Sequence, residues 1–163
     1  MKNLLALLSI LIIISCQPKV EREYIMEPCP EDTKKPIAQV KQELLDNGFE
    51  IFDYVDEETG DTIIMQQYFM VFLKRGPNRD QSKTETDSLQ ALHMAHLTRM
   101  YEEGFADISG PFGDDGDVRG ITIYNVPNLK IADSLAHLDP MVKAERLVLD
   151  IKPWWAGKGY PLR

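Results

Sequence analysis

Thr62–Gly76, TIIMQQYFMVFLKRG, is the most apolar run beyond the N-terminal segment. Its length predicts a central β-strand from about Ile63 to Lys74. Phe49–Val55, FEIFDYV, precedes it across the turn formers Asp56–Asp61, DEETGD, so the two runs read as strands joined by a turn. Upstream, KPIAQVKQELLDNG (35–48) spaces Ile37, Val40 and Leu44 as a helix does. Pro36 suits its first turn and Gly48 its C-terminal cap.

Downstream, GPNRDQSKTETD (76–87) reads as a polar loop. A helix follows, with Thr86 or Asp87 as the expected N-cap, and Gly104 closes it. FADIS (105–109) is a short strand, GPFGDDGD a turn-rich loop, and VRGITIYNV (118–126) another strand. NLKIADSLAHL forms a second helix, apolar at Ile131, Leu135 and Leu138. Asp139 and Pro140 open a further helical turn, and RLVLDIKPW ends the series as a strand alternating Leu147, Leu149 and Ile151. From Ile63 the order is βαββαβ, the ferredoxin-like α+β pattern, with Ile37–Asp61 as an N-terminal helix-strand extension. Right-handed crossovers put both helices on one sheet face and leave the other bare. A second copy is the simplest cover for such a face, so a homodimer is expected.

Chemistry concentrates in LQALHMAHLTRMYEEG (89–104), which holds two of the three histidines. On a helical wheel Leu89, Leu92, His93, His96, Leu97 and Met100 share one side. Both imidazoles therefore point inward. A zinc site needs three or four ligands, and helical zinc motifs space their histidines four apart beside a Glu. This helix offers neither, so no metal is expected. Two readings stand for an inward histidine. One is a core ring satisfied by a single hydrogen bond. The other is an acid/base ring oriented by a carboxylate. Asp139 in HLDPMV is the best carboxylate, and its capping of the turn begun by Pro140 would still spare one oxygen. GPFGDDGDVRG lacks the alternating acids and distal Glu of a calcium loop. It reads instead as a tight hairpin with Gly116 at positive φ and Arg119 able to pair with an acid. No nucleophile triad or phosphate-binding glycine loop occurs, and no cofactor is implied.

The N-terminus places the domain. MKNLLALLSILIIISC has one Lys and then an apolar run from Leu4 to Ile14, the size of a signal-peptide core and too short to span a bilayer. Its end, IISC, resembles the lipobox of bacterial lipoproteins, in which the Cys, here Cys16, is diacylated. Residues 17–36 are rich in Pro and charge and read as a tether. Cys29 lies within it with no intramolecular partner once Cys16 is acylated. The 163-residue chain carries 18 Lys+Arg against 26 Asp+Glu, a net charge of −8, and loss of Lys2 with the leader takes it to −9. Such a charge repels phosphate backbones and argues against nucleic acid as a partner. Membrane attachment would rest on the lipid. Gln17 is not the Asp of an inner-membrane retention signal, so the expected place is the cell envelope, with the outer membrane favoured.

From about Tyr68 to Trp154, a little over half of the chain, the sequence resembles the YciI-like (YCII-related) family. The carriers are HMAHLTRMYEEG, then GPF, then SLAHLDPMVKAE, then a final strand ending IKPW. The family histidine lies eleven residues before the glycine ending the first helix, which selects His93 over His96. Asp139 matches the family aspartate. The resemblance implies a dimeric ferredoxin-like α+β barrel, similar to muconolactone isomerase, with a His–Asp pair in a pocket. Family members are proposed as small-molecule enzymes, and a relative acts as a dehydrochlorinase on a chlorinated hydroxyquinol.

The chain thus divides into a signal peptide (1–15), a lipidated tether (16–36), the extension (37–61), the YciI-like domain (62–155) and a C-terminal tail (156–163). The expected function is a cofactor-independent lyase, hydrolase or isomerase acting on a small cyclic or acidic molecule. His93 and Asp139 would be catalytic, and His96, Phe112, Asp114, Asp115 and Arg119 would line the pocket. The alternative is a non-catalytic envelope lipoprotein that binds a ligand or partner.

Overall fold

The computed structural model describes residues 35–160 and Leu162. The expected leader, the lipidation site Cys16, the tether up to residue 34 and Cys29 lie outside the described residues. The elements are α1 (Ile37–Asp46), β1 (Ile51–Val55), β2 (Thr62–Arg75), α2 (Lys83–Glu102), β3 (Ala106–Pro111), β4 (Val118–Tyr124), α3 (Leu129–Ala136), α4 (Pro140–Lys143) and β5 (Leu147–Gly157).

β2 is the central strand, as its apolar length predicts. β5 pairs with its residues Met65–Arg75 along one edge. On the other edge β4 pairs with Phe69–Lys74, and β1 with Thr62–Gln66, so β4 and β1 lie end to end. β3 completes the sheet beyond β4. All pairings are antiparallel, and the order β5-β2-β4-β3 is the ferredoxin-like arrangement with β1 added as the extension. The sheet is open rather than closed into a barrel. Pro153 sits in β5, whose only partner among the described residues is β2, where an edge strand tolerates a residue that cannot donate.

Alternation along β2 sorts the two faces. Phe69, Val71 and Leu73 point toward the helices and form the core with Met100, Tyr124, Ala132, Ala136, Met141 and Leu147. Met70 and Phe72 point the other way, as do their cross-strand partners Ile123, Ile121, Lys152 and Asp150. Val148 and Trp154 share that face and are 39 % and 40 % exposed. The helix-free face therefore keeps apolar surface in contact with water.

Four local expectations are corrected. α2 starts a turn earlier than Thr86. Ser82 is its N-cap, accepting from the Glu85 N–H, while the Glu85 carboxylate takes the Ser82 N–H. This capping box outweighs the absence of apolar residues in the first turn. In α3 the buried positions are Ala132 and Ala136, while Ile131, and Leu138 two residues past its end, stay more than a third exposed. Small side chains let that helix sit close on the sheet, which turns the larger ones to its flanks. Gly116 is not at positive φ; Gly48, Gly60, Gly104 and Gly159 are the glycines that are. The β3–β4 turn is held instead by Arg119, which donates to the Gly116 carbonyl at 3.0 Å and to Asp115 at 2.9 Å. β5 also continues through Gly157, into the segment expected to be tail. Among the described residues no helix is long and apolar enough to cross a membrane.

Candidate active site

α2 buries a narrow stripe, His93, His96 and Met100, spaced three and four apart. Leu92, on the expected apolar side, is 55 % exposed. Across from the stripe, α4 is a single turn begun by Asp139 and Pro140. The short helix brings a carboxylate to His93 because its cap must point back at its own first N–H groups. Asp139 Oδ1 accepts from the Met141 N–H at 2.8 Å. Its Oδ2 lies 2.6 Å from His93 Nδ1. Asp139 is 2 % exposed, so capping and ring contact are made by the two oxygens of one buried carboxyl group.

That geometry sets the tautomer. A carboxylate only accepts, so Nδ1 carries the proton and Nε2 is the nitrogen left for another molecule. His93 lines a cavity of about 800 Å³ between α2 and the β3–β4 edge. Met94, Leu97 and Tyr101 of α2 and Ile108 and Pro111 of β3 supply its apolar wall. The volume falls in the range of small-molecule sites, roughly 300–1,000 Å³. The negative charge of Asp139 also reaches Tyr124, whose hydroxyl is pushed well above its ordinary range, first by burial and then by that charge.

His96 is different in kind. It is 5 % exposed and does not line the cavity. Arg99 Nη2 lies 3.3 Å from its Nδ1, and a guanidinium only donates, so the His96 proton sits on Nε2. That Nε2 is buried with no hydrogen-bond partner. Burial pushes the His96 pKa below its ordinary value; the Asp139 charge opposes this, and Arg99, His93 and Lys143 reinforce it. A base with a depressed folded pKa binds fewer protons folded than unfolded, so stability rises with pH between the two pKa values. The His96 contribution to stability is therefore intact above the unfolded value near 6.5 and falls away as the pH drops below it. Denaturant titrations at several pH values should give His96→Gln a shallower acid loss of stability than the parent chain. An unchanged slope would remove His96 as the source.

Of the other residues expected at the pocket, Arg119 lines it. Phe112, Asp114 and Asp115 do not. Phe112 is 44 % exposed beyond the end of β3. The Asp115 side chain is 89 % exposed and pairs with Arg75 at 2.6 Å and Arg119 at 2.9 Å, so it fastens the turn outside the cavity. Sequence reasoning missed Arg79 and Arg146, which line the cavity beside Arg119. Arg79 lay in a stretch that carries only turn signals, and Arg146 opened a strand. Among the described residues no group of three or more His, Cys, Asp or Glu comes together as a metal ion would need.

Fold and site together define a ferredoxin-like α+β domain with a buried His–Asp pair beside a cavity between a helix and a sheet edge. The chain belongs to the YCII-related domain family, whose model matches residues 68–155. Among solved structures it is similar to the 5-chloro-2-hydroxyhydroquinone dehydrochlorinase of Burkholderia phenoliruptrix, determined with 2,5-dihydroxybenzoquinone. That similarity has a TM-score of 0.41 and 22 % identity, over 53 % of this chain and 92 % of the other. No curated protein matches the chain.

Proposed function

We propose that the domain is a small-molecule enzyme in which His93 is the general acid/base and Asp139 its orienting partner. The supporting observation is the 2.6 Å contact of a buried carboxylate with the one ring that also lines the cavity. A histidine serving only the core would stay out of the cavity, as His96 does, with its Nε2 buried. In this reading Nε2 takes a proton from a substrate C–H or O–H and returns it to the product or leaving group. Asp139 holds the Nδ1–H tautomer and stabilises the imidazolium that forms. Elimination, hydrolysis and isomerisation all need this proton shuttle and no cofactor.

Two copies would pair through the helix-free sheet face, a proposal supported by the half-exposed Val148 and Trp154. Attachment to the envelope through a lipid on Cys16 rests on the sequence. The test is turnover of a panel of lactones, small carboxylates and halogenated phenols by the full chain and by His93→Gln. The variant should lose about 10²–10⁴-fold, the usual contribution of a positioned acid/base. Unchanged turnover would contradict the assignment. A parent chain that binds panel members and converts none would favour a ligand-binding protein instead.

A further inference from the structure

The cavity has a charged end that the acid/base reading does not use. Arg79, Arg119 and Arg146 line it together. Arg119 shares the exposed Asp115 with Arg75. Arg79 donates to the Arg146 carbonyl at 3.1 Å, and Arg146 to Gln81 Oε1 at 2.8 Å. Both acceptors are uncharged, and among the described residues neither arginine forms an ion pair with a carboxylate. The guanidinium groups of Arg146, Arg75 and Arg119 lie close enough to act on that of Arg79. Partial burial first, and then the charges of Arg146, Arg75 and Arg119, depress the Arg79 pKa, with Asp115 alone opposing. One solvent-exposed carboxylate, Asp115, thus pairs with Arg75 and Arg119 and acts on Arg79, in a chain of net charge −8. The other acid on the wall, Asp107, already accepts from Asn125 at 3.2 Å.

Like charges held together beside a cavity leave a binding potential for an anion. Guanidinium forks match the two-oxygen geometry of carboxylates and phosphates. The neighbouring wall is apolar. We infer that the arginine end anchors an oxyanion, so that the molecule presented to His93 is a small compound with an apolar body and a carboxylate or phosphate group. The inference rests on the proposed enzyme and deepens it. Anchoring a remote charged group is a means of holding the reacting atoms in register with a base.

The probes are benzoate, phenyl phosphate and the neutral benzamide, titrated calorimetrically into the full chain. At least one anion should bind about tenfold or more tightly than benzamide, the size of one charge-assisted contact. The tighter of the two anions names the group. The preference should collapse in Arg146→Gln and in Arg79→Gln, with benzamide affinity unchanged. Should Arg146→Gln fail to fold after losing its contact with Gln81, Arg79→Gln and the salt dependence of the parent chain carry the test. Added salt should weaken the anions and spare benzamide. His93→Gln should keep the preference. No preference in the parent chain, or a preference kept in the folded arginine variants, overturns the inference. With His93-dependent turnover intact, that result leaves the acid/base reading standing. Preference intact with His93→Gln turning over normally overturns the acid/base reading and leaves the anchor.

Discussion

Asp139→Asn is expected to fold with near-parental stability and to lose turnover by about 10²–10⁴-fold. The two effects separate because Asp139 does two jobs with two oxygens. Asn caps a helix about as well as Asp, so the Met141 N–H keeps an acceptor. The amide NH₂, however, would face His93 Nδ1 and donate to it. The ring then carries its proton on Nε2, the wrong nitrogen for a base aimed at the cavity. Asp139→Ala should behave otherwise. It removes the cap, worth about 1 kcal/mol, and leaves a buried His93 N–H unmet at about 1–3 kcal/mol more. Thermal melts beside turnover distinguish the two variants. Full activity in Asp139→Asn would end the orienting role.

Gly76→Ala should destabilise by about 1–3 kcal/mol or more, the range for forcing atoms into filled space. A methyl group at Gly76 would run into the Glu145 carbonyl oxygen and lie 2.7 Å from the Arg146 carbonyl carbon. Neither is a flexible side chain that could swing away. The Gly76 N–H is bonded to the Arg146 carbonyl at 3.0 Å, and Asn78 N–H to that of Glu145 at 3.1 Å. Glu145 itself is at φ 55°, a conformation that non-glycine residues rarely adopt, so the turn has little freedom to yield. The same contacts aim Arg79 and Arg146 into the cavity, so the anion preference should fall together with the stability. Gly110→Ala is the control, since nothing lies within 4 Å of the added carbon. Equal denaturation midpoints for the two variants would show that the close approach is not a constraint.

The legible parts of this molecule were those governed by local pattern. The apolar length of Thr62–Arg75 identified the central strand, and the order of elements around it the ferredoxin-like sheet. Asp-Pro marked a cap, and the arithmetic of two carboxyl oxygens allowed the cap to meet His93, which is the geometry found. The start of α2 was misplaced because its first turn carries no apolar residue, although Ser82 and Glu85 spell a capping box. The wheel overcounted the inward side of α2 because a periodicity cannot tell a helix packed all round from one that stands off an edge strand. That stand-off makes the cavity, and Met94 and Tyr101, which line it, are half or more exposed as a result. The arginine end was invisible for a related reason. Arg79 and Arg146 are 67 positions apart, brought together only by the pairing of β5 with β2.

Asp139 holds His93 with Nε2 left for a molecule in the cavity. Long-range ¹H–¹⁵N NMR of the imidazole rings in the full chain reads this directly. The His93 proton is expected on Nδ1 in the parent chain and on Nε2 in Asp139→Asn. A parent ring protonated on Nε2, or the same tautomer in both chains, would contradict it.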